Sequence, residues 1–170
     1  MANRLGDGPG AKSSDERHRI VGIDPGTVRT GWGVVDVLNG SPHHVAHGTI
    51  ASSGTDGQAR RLSRIYRGLM EILSKYEPEG ISVEKVFFAR NAQSALKLGQ
   101  ARGIALLAAA ERDIAIHEYT SAEIKLAVVG YGQATKDQVQ KMVSALLRLS
   151  SPMAVDAADA LAAALCHLHQ

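Results

Sequence analysis

Past residue 18, three strand-like segments follow one another before any helical period appears, and that order constrains the fold more than any other feature of the chain. The segments are RIVGID, TGWGVVDV and HHVAHGTI, with the turn signal PGT between the first two. Strands joined so closely predict a meander. The pattern then changes. In QARRLSRIYRGLMEILSKY, residues Leu62, Ile65, Leu69, Ile72 and Leu73 recur at helical spacing as far as the proline of EPEG, which predicts an amphipathic helix. ISVEKVFF then reads as a strand, NAQSALKLGQARGIALLAAAERD as a long helix rich in small residues, and IAIHEY as a strand. SAEIKLAVVG, TKDQVQKMVSALLRLS and VDAADALAAAL read as three helices in succession. A meander followed by helix–strand alternation predicts an α/β fold: a mixed five-stranded sheet with helices on both faces.

Composition sets outer limits. With 170 residues the chain is expected to form one domain over 19–170, preceded by a flexible leader over 1–18 that is rich in Gly, Ser and charge and lacks apolar periodicity. A hydrophobic content of 45% against 21% charged residues excludes a disordered chain. The single cysteine, Cys166, cannot form an intramolecular disulfide, and no apolar run reaches membrane length, so a cytoplasmic protein without membrane partners is expected. A net charge of +2 neither demands nor forbids a nucleic-acid partner.

The chemistry is carried by acids in unexpected places. VDAADALAAAL places Asp156 and Asp159 three residues apart in an otherwise apolar helix, so both project from one face, about 60° apart around the axis. One reading is capping, with Asp156 as N-cap at the positive end of the helix dipole. The other is a cation site, in which a divalent metal converts carboxylate repulsion into coordination. Asp24 ends the first strand just before Pro25 and Gly26, where an Asx-turn is the ordinary explanation. Glu84 falls in a strand expected to be central, where an isolated charge is costly and a lysine partner would be the ordinary remedy. Together, strand ends at one sheet edge and a late helix crossing that edge could bring Asp24, Glu84, Asp156 and Asp159 to one point. Four acids so placed suit two Mg²⁺ or Mn²⁺ ions and in-line phosphodiester hydrolysis.

At this level of detail the sequence resembles the RuvC-type Holliday junction resolvases of the ribonuclease H-like fold, from about Ile20 to His169. The resemblance is carried in order by GIDPGTVRTGWGVV, VEKVFFARNAQSALKLGQARG, VVGYGQATKDQVQKMV and DAADALAAAL. It implies that Asp24, Glu84, Asp156 and Asp159 are the catalytic metal ligands of a Mg²⁺-dependent endonuclease, with Mn²⁺ able to substitute. It also implies paired nicks in strands of like polarity during recombination and repair, leaving ligatable 3′-hydroxyl and 5′-phosphate ends. Phe87 would reach the junction centre and stack on a base. Phe88 follows it, although two aromatics after a strand are ordinarily core. Lys125 and Lys136 match lysines that contact DNA phosphate. By sign and position alone, Arg90, Lys97, Arg102 and Lys141 extend the basic rim. The implied partners are a four-way DNA junction, a second copy of the chain through the Ala/Gly-rich helix, and the RuvA–RuvB branch-migration complex.

Competing readings are weaker. DPGTVRTG is also similar to the phosphate-binding hairpin of actin-like ATPases, but those enclose a nucleotide between two such domains and one copy is present here. GYGQATK lacks the Gly-Lys-Ser/Thr of a P-loop. A non-catalytic junction-binding or architectural DNA protein of the same fold is the remaining alternative. His167 and His169, two apart on a helix, point in nearly opposite directions, and His43, His44 and His47 show no ligand spacing, so zinc is not expected.

Overall fold

The computed structural model describes residues 17–85 and 92–170. The meander forms as expected: β1 (His18–Asp24), β2 (Arg29–Leu38) and β3 (Ser41–Ala51) pair antiparallel in chain order. Asn39 and Gly40, both at positive φ (51° and 74°), make the two-residue hairpin between β2 and β3, a backbone twist that matches the twist of the strands it joins. α1 (Gln58–Tyr76) follows, burying Ile65, Leu69, Ile72 and Leu73 on one stripe. It stops at Glu77, left-handed at φ 45°, immediately before Pro78, which cannot continue a helix. β4 (Gly80–Glu84), α2 (Ala92–Ala110) and β5 (Ala115–Tyr119) come next, with β4 parallel to both β1 and β5. The sheet order is β3-β2-β1-β4-β5. α3 (Ser121–Val129), α4 (Lys136–Leu146) and α5 (Val155–Leu168) complete the chain.

Two boundaries differ from expectation. β1 includes His18, assigned to the leader, because it pairs with Val37 of β2; its imidazole also meets Glu79 at 2.9 Å. β4 ends at Glu84 rather than running to Phe88. Lys85 donates its backbone N–H to the Tyr119 carbonyl at 2.7 Å, and residues 86–91 lie outside the described residues. Glu84 is therefore a strand-end residue of an interior strand.

The period-2 geometry of the strands divides the core. Val21, Ile23, Val34, Ile81 and Val83 point towards α1 and α2. Ile20 and Val35 point towards α5, which is itself covered by α3 and α4. α5 is thus buried almost all round, which is why its sequence is apolar on every side. Small residues let it lie flush on the sheet. A Cβ on Gly22 would fall 1.8 Å from the Ala160 carbonyl oxygen, and one on Gly31 would fall 1.9 Å from that of Asp156. Buried Ser82 donates its hydroxyl to the Ala163 carbonyl at 2.6 Å, fixing the helix along its axis. Leu161 and Leu165, fully buried, each contribute about 1.5–3 kcal/mol to this packing.

Candidate active site

That close contact determines where the acids of α5 go. Asp24 is in register with Gly31 across the β1–β2 pair, and Gly31 lies against the Asp156 backbone. The first turn of α5 is therefore pinned beside the end of β1. Neither aspartate caps the helix: its N-cap is Ala154, which makes no side-chain cap bond, so the capping reading fails. The turn after β1 does not need Asp24 either, because Thr30, fully buried, closes it by donating to the Gly26 carbonyl at 2.8 Å. Freed from those local duties, Asp24 and the α5 acids share one end of the sheet with Glu84, which ends the neighbouring parallel strand.

The electrostatics record how close they are. Burial, followed by the charges of Asp159, Glu84 and Asp156, pushes the Asp24 carboxyl up to about 7, and only Lys136 opposes the shift. The Glu84 carboxyl is also raised, chiefly by burial and further by Asp159. A hydrogen bond from Ser121 and the charges of Lys136 and Lys125 pull the other way. The expected lysine partner of Glu84 is thus secondary to a serine. Sequence reading missed Ser121, yet a signal was present. Thr120 and Glu123 form a reciprocal capping box at 3.2 and 2.6 Å that starts α3 directly after β5, which places Ser121 at the first helical position beside the end of β4.

Lys136 is the cation among the acids. Its Nζ lies 2.9 Å from Asp159 Oδ2, a contact that raises the ammonium pKa, as do the charges of Asp24 and Glu84. Thr135 and Gln138 form a second capping box that begins α4 at Lys136. Glu84, Ser121, Lys125, Lys136 and Asp159 line a cavity of about 120 Å³ between α3, α4 and α5. Among the described residues no three His, Cys, Asp or Glu side chains converge tightly enough to hold a metal ion, and the acid nearest a cation is already paired with Lys136. As a donor set the four carboxylates still fit a divalent cation. They are hard oxygen ligands, and burial together with their mutual repulsion leaves Asp24 partly protonated near neutral pH.

The remaining expectations divide. Phe87, Phe88 and Arg90 lie outside the described residues. Lys97 is exposed on α2, but Arg102 is paired with Glu118 and Lys141 with Asp137 at 2.8 Å, so neither stands as a free rim cation. Asp137 lies four residues before Lys141 on α4, a spacing readable in the sequence, whereas Glu118 lies on β5, away from Arg102 on α2. His167 stacks on His117 with ring centroids 3.8 Å apart and meets the Tyr119 hydroxyl at 2.7 Å, while His44 and His47 meet each other at 2.8 Å.

A mixed sheet of order 3-2-1-4-5 with helices on both faces is a ribonuclease H-like domain, and here Asp24 and Glu84 end β1 and β4 while Asp156 and Asp159 lie on the last helix. The family model described as "Crossover junction endodeoxyribonuclease RuvC" matches residues 20–167. The chain belongs to that family. It is 50% identical over 152 residues to the crossover junction endodeoxyribonuclease RuvC of Xylella fastidiosa, covering 89% of this chain and 88% of the relative. The counterpart in Citrifermentans bemidjiense is 49% identical over 150 residues, covering 88% and 92%. Among solved structures it resembles T. thermophilus RuvC in complex with Holliday junction substrate, with a TM-score of 0.83 and 35% identity over 88% of this chain and 92% of that one.

Proposed function

We propose that this protein is a structure-selective endonuclease that resolves four-way DNA junctions by paired, metal-dependent nicks in strands of like polarity. The observation that carries the reading is the placement of Asp24: it ends β1 in register with Gly31, which lies against the Asp156 backbone, and burial, followed by the charges of Asp159, Glu84 and Asp156, pushes its carboxyl up to about 7. A fold kept for structure alone would have no reason to collect that repulsion. In this reading Asp24, Glu84, Asp156 and Asp159 would hold two Mg²⁺ ions, with Asp156 and Asp159 serving as ligands or orienting the attacking water. Bound there, such ions supply an activated water and neutralise charge at the leaving oxygen of an in-line displacement.

The chain's own residues prepare that site. The Ser121 hydroxyl orients Glu84 and favours its ionised form. Lys136 holds the Asp159 carboxylate until a stronger cation takes it, and with Lys125 it presents positive charge to a backbone phosphate. Phe87 is assigned to the junction centre, where stacking contributes about 1–3 kcal/mol per base. The active form is a homodimer through α2, whose Leu96 and Leu107 are exposed at 69% and 46%. At Gly99 and Gly103 an added Cβ would meet nothing, so a second backbone could approach closely. Two-fold symmetry would present two sites to two like strands. The protein would act in the cytoplasm with the RuvA–RuvB complex; among the described residues no helix is long and apolar enough to cross a membrane.

The test is cleavage of a four-way junction in Mg²⁺ by wild type and Asp24→Asn at matched DNA occupancy. Loss of nicking by about 10³-fold or more, the scale of removing a main electrostatic stabiliser, with binding unchanged, is expected. Binding without nicking by the wild type would instead identify a junction-binding module.

A further inference from the structure

A further cavity lies away from the acids. It is a groove of about 570 Å³ between α1 and the edge strand β3, lined by Arg60, Arg64 and Arg67 with Ile50, Asp56 and Glu71. The arginines sit at i, i+4 and i+7, so they rise on one face of α1 over about 10 Å, roughly three base-pair steps of a duplex. All three are exposed. Their neighbour Arg61 serves structure, donating to the Asp56 and Gly54 carbonyls at 2.9 and 2.8 Å. Arg64 makes a loose contact with Asp56, 3.6 Å away, and a long hydrogen bond to the Ala51 carbonyl at 3.5 Å, and the side chains of Arg60 and Arg67 have no ion-pair partner among the described residues. A helix face that holds two unpaired guanidinium groups and a third half-engaged has positive charge that the fold itself does not use.

Its position gives that charge a direction. Ala51, at the end of β3, pairs with Arg29, and Thr49 pairs with Gly31, which in turn pairs with Asp24. The loop into α1, and with it Arg60, is therefore at the acidic end of the sheet, and the ladder runs from there towards the other end along the face opposite α5. We infer that the Arg60–Arg64–Arg67 ladder is a second nucleic-acid contact, which takes the sugar-phosphate backbone of a duplex arm as it leaves the crossover past β3. Guanidinium groups suit this because each offers a planar fork of donors to a phosphate. Asp56 and Glu71 in the same groove would keep the contact weak and independent of base sequence, as an arm contact must be. The inference rests on the junction-resolving reading above.

The experiment measures binding of a fluorescent four-way junction by the wild type and by R60A/R64A/R67A, without divalent metal, from low to moderate salt. Each lost phosphate contact should make the slope of log affinity against log salt shallower by about one, so a decrease of about two to three is expected with long arms. With arms cut to a few base pairs the two proteins should have equal slopes. R60K/R64K/R67K should restore most of the slope, which separates loss of charge from damage to α1. An unchanged slope with long arms would overturn the inference and leave an acidic protein as the candidate occupant. An equal effect on short arms would overturn it too, by moving the contact to the crossover. If the wild type fails to bind a junction at all, the resolvase reading itself falls and takes this one with it.

Discussion

β1 and β2 present a half-buried aspartate and a buried one at opposite ends of one ladder, and they are treated in opposite ways. Asp36 is in register with Arg19 and receives both its Nε and its Nη2, at 2.6 and 2.8 Å, while the same guanidinium also donates to the Tyr76 carbonyl at 2.9 Å. Every charge there has a geometric partner. Asp24, a few residues along β1, faces the charges of Asp159, Glu84 and Asp156, and the charge of Lys136 opposes them. The first acid is part of the scaffold. The second is held in a state the scaffold alone would not favour, which is the mark of a group awaiting a ligand. Burial by itself therefore does not distinguish a structural carboxylate from a functional one; the sign of the charge next to it does.

The contrast can be broken from the scaffold side first. Arg19→Met leaves Asp36 buried without its cation, and should cost about 3 kcal/mol or more in denaturant unfolding. The functional end should respond with the opposite sign. Asp24 binds a proton more tightly in the folded chain, at about 7, than in the unfolded chain near 3.8. Between those values the folded state holds more protons than the unfolded state, so metal-free stability should fall as pH rises from about 4 to about 7 and then level off. The whole effect is on the order of a few kcal/mol. Asp24→Asn should flatten that stretch of the profile and raise stability at pH 8, and Mg²⁺ should stabilise the wild type more at pH 8 than at pH 5. Thermal melts across pH with and without Mg²⁺ check all three. The smallest expected effect is at Ser121. Removing one hydroxyl that bonds an ionised carboxylate is worth about 1–2 kcal/mol, so Ser121→Ala should slow nicking by about tenfold and shift its acid limb upward, with junction affinity unchanged.

Much of this was legible in the chain before any coordinates. The meander, the amphipathic stripe of α1 and the four acids follow from periodicities of two and 3.6 and from carboxylates where packing offers no reason for them. The resemblance located the same acids in one family. What could not be read was mutual approach. Gly22, Gly31 and Ser82 look like ordinary strand residues until α5 is laid on them, because close contact between distant segments leaves no local pattern. For the same reason Arg102 counted as a free cation by sign, although it pairs with Glu118 on β5; the pairing of Lys141 with Asp137, four residues back on α4, was legible from helical spacing. Ser121 was recoverable only by following the capping box that starts α3.

Under the proposed function, Asp24 is short of positive charge until a divalent cation binds. Carboxyl-carbon NMR of metal-free protein, titrated from pH 4 to pH 9 and repeated in Mg²⁺, reads that directly, with Asp36 as the internal contrast. The Asp24 resonance should titrate with a midpoint near 7 without metal and move well below that with it. A midpoint in the ordinary carboxylate range that ignores the metal would contradict the account.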